Sequence, residues 1–121
     1  MVPVNRVVVI GGGPGGYEAA LVAAQLGADV TVVDSDGIGG SAVLTDCVPS
    51  KTLIATAELM ADFEEAGELG ITFNGRPPAP GGPDGVVSVD LARVNDRVKR
   101  LAMAQSTDVE RRLTRDGVRV V

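Results

Sequence analysis

The apolar positions divide the chain into short segments of alternating type. Arg6 to Ile10 (RVVVI) carries an unbroken run of β-branched residues, Val7 to Ile10, that stops at Gly11, which predicts a strand covered on both faces. From Pro14 to Leu26, small and apolar residues follow a proline and end at Gly27. Proline near the start and glycine just past the end predict a helix. Asp29 to Asp34 (DVTVVD) predicts a second strand. Strand, helix and strand in close succession make a βαβ unit, whose right-handed crossover sets the two strands parallel and adjacent.

Beyond this unit, Ser35 to Ser41 predicts a glycine-rich loop. Lys51 to Ala66 predicts a second helix, with Leu53, Ala57, Met60 and Phe63 spaced by three and four and Gly67 at its close. Between residues 74 and 85, eight of twelve residues are Gly or Pro, a composition suited only to an exposed loop. Ser88 is then the expected cap of a long helix whose Leu91, Val94, Val98, Leu101, Val109 and Leu113 share a stripe, ended by Gly117. Val118 to Val121 begins a third strand. The expected class is α/β: the N-terminal part of a Rossmann-like domain, a βαβ unit plus two further helices. Two strands and the start of a third leave an open apolar edge, so a truncated domain is expected.

Composition narrows the class. The chain has 121 residues, enough for one domain, and its 45% hydrophobic content includes only three aromatics, Tyr17, Phe63 and Phe73. A core of Val, Leu, Ala and Ile suits a parallel sheet. The net charge of −5 argues against nucleic-acid or anionic-membrane partners. Arg93, Arg97, Lys99 and Arg100, at helical spacing, read as a solvated helix face. Without histidine and with Cys47 as the sole cysteine, no zinc site and no intrachain disulfide can be built, and no metal site is expected. A reducing, cytoplasmic setting is expected, since the apolar runs are too short for a signal peptide or a membrane span.

Gly11, Gly13 and Gly16 form G-x-G-x-x-G after the first strand and at the opening of the first helix, the setting a dinucleotide loop requires. The first glycine permits the turn, the second lets the backbone approach a pyrophosphate, and the third lets helix and strand pack closely. Pro14 and Gly15 complete the helix opening, whose free N–H groups and partial positive charge suit phosphates. Asp34, with Ser35 beside it, ends the second strand, where a carboxylate can accept from both hydroxyls of an adenosine ribose and would repel a 2′-phosphate. The plain alternative is a glycine-rich turn beside a surface aspartate. The fingerprint alone fits FAD and NAD alike.

Gly39 to Lys51 reads GGSAVLTDCVPSK. This segment, in order after the glycine loop, resembles the flavoprotein disulfide reductases, the family of dihydrolipoamide dehydrogenase and glutathione reductase, whose pattern here is G-G-T-C-x-x-x-x-C-x-P-S-K. The resemblance implies an FAD-binding domain in which Gly39, Gly40 and Ser41 lie along the pyrophosphate and ribitol. It places Cys47 toward the isoalloxazine ring and Lys51 near flavin N5, paired in the family with a glutamate of a following NAD domain. As ordinary residues, Cys47 would be a small buried hydrophobe and Lys51 a surface lysine.

Ala42 stands where the family carries its first redox cysteine. A dithiol relay needs two thiols, so lipoamide or glutathione reduction by that route is not expected. The pattern is most similar to the branch of dihydrolipoamide dehydrogenase homologues that lack the cysteine pair and reduce quinones with NADH or NADPH. Leu44 and Asp46, in place of the Asn and Gly common in disulfide-active members, agree with a changed acceptor. The expectation is the FAD-binding segment of an NAD(P)H:quinone oxidoreductase, homodimeric at full length and inactive alone because the NAD-binding and dimerisation domains are absent. The alternatives are a dihydrolipoyl dehydrogenase relative, a non-catalytic dinucleotide-binding module and, last, a plain NAD-dependent dehydrogenase.

Overall fold

The structure, a computed structural model, describes residues 4–78 and 87–121. Strands β1 (Arg6–Ile10), β2 (Asp29–Val33) and β3 (Arg119–Val120) form a parallel sheet in the order β1-β2-β3. Val7 lies opposite Val30, Val9 opposite Val32, and Val32 opposite Val120. Partners in register point to the same side, so these valines share one face. Both crossovers step in the same direction across the sheet. Right-handed connections therefore bring helices α1 (Pro14–Gln25) and α4 (Leu91–Arg115) onto that one face. There Leu21 of α1 and Leu113 of α4 meet Val30 and Val32, all fully buried, with Ile38 and Val118 closing the ends of the core.

The opposite face corrects the expectation that β1 is covered on both sides. Val8 and Ile10 are exposed, and among the described residues no helix lies over them. The valine-rich run marks a strand whose second face is apolar but bare.

The two helices enter their strands through the same junction. After α1, Gly27 adopts a φ of 87°, its N–H donates to the Ala24 carbonyl at 2.9 Å, and the Ala28 N–H donates to Ala23 at 3.1 Å. After α4, Gly117 has a φ of 83° and donates to Thr114 at 3.1 Å, while Val118 donates to Leu113 at 2.9 Å. Each is a Schellman closure in which a left-handed residue satisfies the last carbonyls and turns the chain into the next strand.

Other boundaries differ from expectation for local reasons. A short helix α2 (Gly40–Leu44) starts inside the expected glycine-rich loop. Helix α3 (Cys47–Ala66) starts at Cys47, not Lys51, because Pro49 falls in the first turn, where its missing N–H costs nothing. Gly67 stays right-handed, and the chain makes one more turn to Gly70, whose φ is 81°. Asp90, not Ser88, caps α4: its carboxylate accepts from the Arg93 N–H at 3.1 Å, the three-residue reach of an N-cap. On the expected stripe of α4, Leu113 is buried and Val94, Val98 and Val109 are half-buried, but Leu91 and Leu101 are exposed. Helix α4 packs on α3 and α2 as well as on the sheet, and it is Leu113, with Val109 beside it, that joins the core over the sheet. On α3, Leu53 and Ala57 are exposed and Met60 and Phe63 half-buried.

Of the Gly/Pro-rich stretch at 74–85, the first part is a tight turn. Asn74 and Gly75 have φ values of 51° and 76°, and Phe73 and Arg76 exchange hydrogen bonds of 2.8 and 3.0 Å across them. Two left-handed central residues are the requirement of this hairpin turn. Residues 79–85 of the stretch lie outside the described residues.

Leu113→Ala is expected to lower stability by about 2 to 5 kcal/mol, because the cavity would open at the meeting point of α4 and the sheet. Leu91→Ala, on the exposed end of the same stripe, should stay within about 0.5 kcal/mol. Urea titrations followed by circular dichroism compare the two, and equal losses would contradict this placement of the core.

Candidate functional site

The three strands end together at their carboxyl ends, and the loops that leave them are bonded to one another. Gly11 N–H donates to the Val33 carbonyl at 2.8 Å, tying the start of the glycine loop to β2. Asp34 N–H donates to the Val121 carbonyl at 3.0 Å, tying the next loop to the end of β3. Ligands of open parallel sheets bind in this position, outside the carboxyl ends of the strands.

Gly12, the middle residue of the glycine loop, is held from both sides. Its N–H donates to Asp34 Oδ2 at 2.6 Å, and its carbonyl accepts from the Gly39 N–H at 2.8 Å. The first glycine motif, the aspartate and the second glycine motif are thus one bonded cluster. A Cβ on Gly12 would stand 2.6 Å from Ile38 Cδ1, so the buried Ile38 fills the space that a side chain there would need. Sequence reasoning passed over both residues. The available signals were a third glycine inside G-x-G and a single isoleucine among the aspartates and glycines of the following loop.

The remaining glycines divide by what surrounds them. A Cβ on Gly16 would collide with the Gly11 carbonyl oxygen, which is the close packing expected of the third glycine. A Cβ on Gly40 would lie 3.0 Å from Gly13 Cα, so the two motifs touch backbone to backbone. Gly13 and Gly15 have nothing within 4 Å of a built Cβ. The outer surface of the loop is open at the N-terminus of α1, where Pro14 occupies the first turn and the early N–H groups lack partners within the helix.

Asp34 does more than face outward. Its Oδ1 accepts from the N–H groups of Asp36 and Gly37 at 2.8 and 2.9 Å, while Oδ2 accepts from Gly12. A carboxylate offers about four acceptor positions, so three donors leave room for one more, on Oδ2. The Gly12 N–H, helped by those of Asp36 and Gly37 and opposed by partial burial, holds the carboxyl below its ordinary range. A pocket of about 320 Å³ lies alongside, lined by Asp34, Asp36, Gly40, Ser41, Leu44 and Thr45. Ser35 is exposed next to it.

Cys47 and Lys51 sit apart from this cluster, one turn from each other at the start of α3, and both are exposed. They connect to the cluster through Ser41, whose carbonyl accepts from Thr45 N–H at 3.0 Å and Asp46 N–H at 2.8 Å just before the helix. Ala42 lies half-buried on α2. A larger apolar groove of about 470 Å³ runs between α3 and α4, lined by Leu53, Ala57, Met60, Leu91 and Val94 among others. It includes none of the motif glycines, so the candidate site is placed at the strand ends, where the motifs converge.

Two outcomes test this geometry. Asp34→Asn sets an amide NH₂ against at least one backbone donor, so it should destabilise the chain at neutral pH. A carboxyl whose folded pKa is depressed contributes stability above its unfolded pKa and loses it as pH falls through the folded value. The stability gap between the parent and Asp34→Asn should therefore narrow as pH drops below about 4, and a gap constant from pH 7 to 2.5 in urea titrations would refute the role. Gly12→Ala must displace Ile38 and is expected to cost about 1 to 3 kcal/mol by overpacking, against about 1 kcal/mol or less for Gly15→Ala, with its open surroundings.

Residues 5–121 match the family described as pyridine nucleotide-disulphide oxidoreductase. An NAD(P)H dehydrogenase (quinone) of Mycobacterium tuberculosis is 46% identical over 123 residues, covering 98% of this chain and 23% of that protein. Dihydrolipoyl dehydrogenase 2 of Haloarcula marismortui is 46% identical over 67 residues, covering 55% of this chain and 14% of that protein. The crystal structure of LpdA from Mycobacterium tuberculosis superposes with a TM-score of 0.80 at 45% identity, over 98% of this chain and 23% of that one. The flavoprotein disulfide reductase RclA of Escherichia coli, at 18% identity and a TM-score of 0.67, shares the fold over 97% of this chain and 21% of its own. The chain thus spans under a quarter of the length of these relatives. With the family match reaching across both glycine motifs and all three strands, this chain belongs to the pyridine nucleotide-disulphide oxidoreductase family.

Proposed function

We propose that these residues are the FAD-binding part of a flavin-dependent NAD(P)H oxidoreductase whose acceptor is a quinone. The observation that carries the reading is the Gly12 junction, which joins the Gly11 to Gly16 loop, Asp34 and the Gly39 to Ser41 motif into one continuous backbone cradle. A phosphate-binding glycine loop alone would serve NAD equally. The second motif, pressed against Gly13, extends the cradle beyond the pyrophosphate, as a longer dinucleotide such as FAD requires.

The residues present fit such a cofactor. The open backbone at Gly13 and Gly15, with the N-terminus of α1 behind Pro14 and Gly16, suits the pyrophosphate. The remaining acceptor on Asp34 suits a ribose hydroxyl, beside Ser35, and its charge opposes a 2′-phosphate. Gly39, Gly40 and Ser41 continue along the chain of the cofactor, and Cys47 and Lys51 at the head of α3 are proposed to face its redox end. When bound, FAD supplies hydride acceptance from NADH or NADPH and donation to a second substrate. The protein's part is to bind, orient and shield it.

The acceptor is assigned from Ala42 and Cys47. A relay through a disulfide needs two thiols, and this sequence has one. Direct reduction of a quinone needs none, and the Mycobacterium tuberculosis relative covering 98% of the chain carries that acceptor in its name. Dihydrolipoyl dehydrogenases are also relatives and stand as the second reading. In either case the nicotinamide-binding and dimer-forming parts belong to the family-length protein, which is proposed to be a homodimer. Among the described residues no helix is long and apolar enough to cross a membrane.

The purified chain is expected to bind FAD, seen as quenching of flavin fluorescence on titration. ADP should compete, and its 2′-phosphorylated counterpart should compete at least about tenfold more weakly, a difference of about 1.4 kcal/mol. FMN, which lacks the adenosine half, should bind poorly. Equal binding of FMN and FAD would sink the cradle assignment. The 121 residues alone should show no NADH-dependent quinone reduction, and robust turnover would overturn the division of labour proposed here.

A further inference from the structure

Ile38 lies outside the first glycine motif, yet its side chain reaches the middle of it. It is fully buried and belongs to the core cluster with Leu21 of α1, Leu113 of α4 and Val30 and Val32 of β2. From there its Cδ1 extends to the place a Cβ on Gly12 would take, 2.6 Å from that position. Asp34 closes the same position from another direction, with Oδ2 at 3.2 Å and Cβ at 3.3 Å. The Gly12 Cα is thus seated between a core methyl group and the aspartate, while its N–H and carbonyl are bonded to Asp34 and Gly39.

Gly11, Gly12 and Gly13 are consecutive, and glycines in succession leave a segment a wide choice of backbone angles. Hydrogen bonds orient the peptide groups on either side of Gly12, but a glycine has no side chain with which to pack. A packing contact that fixes its Cα must come from elsewhere, and Ile38 supplies it. Gly13 follows directly as the N-cap of α1, its carbonyl accepting from the Tyr17 N–H at 2.9 Å. A shift at Gly12 therefore passes through the shared peptide to Gly13 and the first turn of α1.

We propose that Ile38 is a positioning residue of the candidate site: its Cδ1 methyl presses Gly12 against Asp34 and so fixes the open backbone at Gly13 before a ligand arrives. The effect on the ligand rests on the FAD reading above, and the effect on Gly12 does not. A loop already held in place loses less freedom on binding, so removing the methyl weakens dinucleotide binding without deleting any contact to the ligand. The relation is also one of size. Ile38 and Gly12 share one space, and a methyl group added at position 12 fits once the end of the side chain at position 38 is taken away. Ile38→Val removes only that end.

Two measurements made without ligand test the grip on Gly12. At pH 7 its amide proton, bonded to a carboxylate at 2.6 Å, should resonate downfield and should move upfield in Ile38→Val. The Gly12 N–H is the first cause that holds the Asp34 carboxyl below its ordinary range, so Asp34 should titrate higher in Ile38→Val than in the parent. Asp36, the other carboxyl lining the adjoining pocket, is followed separately. Val109→Ala, which trims the same core from α4, should change neither reading. Unmoved Gly12 and Asp34 signals in Ile38→Val overturn the proposal, and so do equal movements in Val109→Ala.

Titration of the folded variants with FAD and with ADP tests the consequence. Ile38→Val should weaken FAD binding about threefold and Gly12→Ala about tenfold, with ADP weakened by the same factors. The double variant should return to within about twofold of Ile38→Val, because the two changes compensate. Val109→Ala should bind as the parent does. Losses that simply multiply in the double variant overturn the proposal. If the ligand-free signals move as expected but the parent binds neither FAD nor ADP, the FAD reading falls and the positioning of Gly12 stands. If FAD binds while those signals stay unmoved in Ile38→Val, only the role of Ile38 falls.

Discussion

A single peptide position, Gly12, holds the site together. Its N–H is fixed by the Asp34 carboxylate and its carbonyl by the Gly39 N–H, so one residue links the ends of β1 and β2 and the start of α2. Ile38 backs it from the core. Backbone groups in such a position must be satisfied, and here the partners come from loops that would otherwise have no reason to converge. The openness over Gly13 follows from this clamp, because the loop is supported from beneath and leaves its outer surface free.

The sheet, the two covering helices and their glycine closures were legible because each is written in local chemistry. The valine runs, Pro14, Gly27 and Gly117 mark boundaries that the structure reproduces to within a residue or two. The first glycine motif was equally plain, whereas its contact with the second is visible only in the fold. What escaped was tertiary. Nothing in RVVVI says that only one side is covered, since an apolar run records what a strand can bury, not what lies over it. Ser88 and Asp90 are both good caps, and the choice depended on where the helix began. The threefold engagement of Asp34 was hidden because its donors, Gly12, Asp36 and Gly37, are backbone groups without a side-chain signature.

The electrostatics of the site are similarly a backbone matter. The described ion pairs lie on the surface, two at the sheet rim, one within α4 and one between neighbours in sequence, and contribute little to the fold. Among the described residues, the carboxyl of Asp34 is held below its ordinary titration range, and the cause is three N–H groups, not a cation. The proposed pyrophosphate site would gain from this arrangement, because the aspartate's charge is directed into the loop framework and the helix N-terminus is left to the ligand.

The twin glycine closures also separate the site from the length of the chain that precedes α4. Because Gly117 and Val118 fix the angle at which α4 turns into β3, the position of Val121 against Asp34 is set from the C-terminal end of the helix. A change in the number of residues between α3 and Asp90 carries a small entropic cost and leaves the strand ends where they are. The geometry at the carboxyl edge of the sheet is thus held from the C-terminal end of α4, independently of how the chain reaches its start.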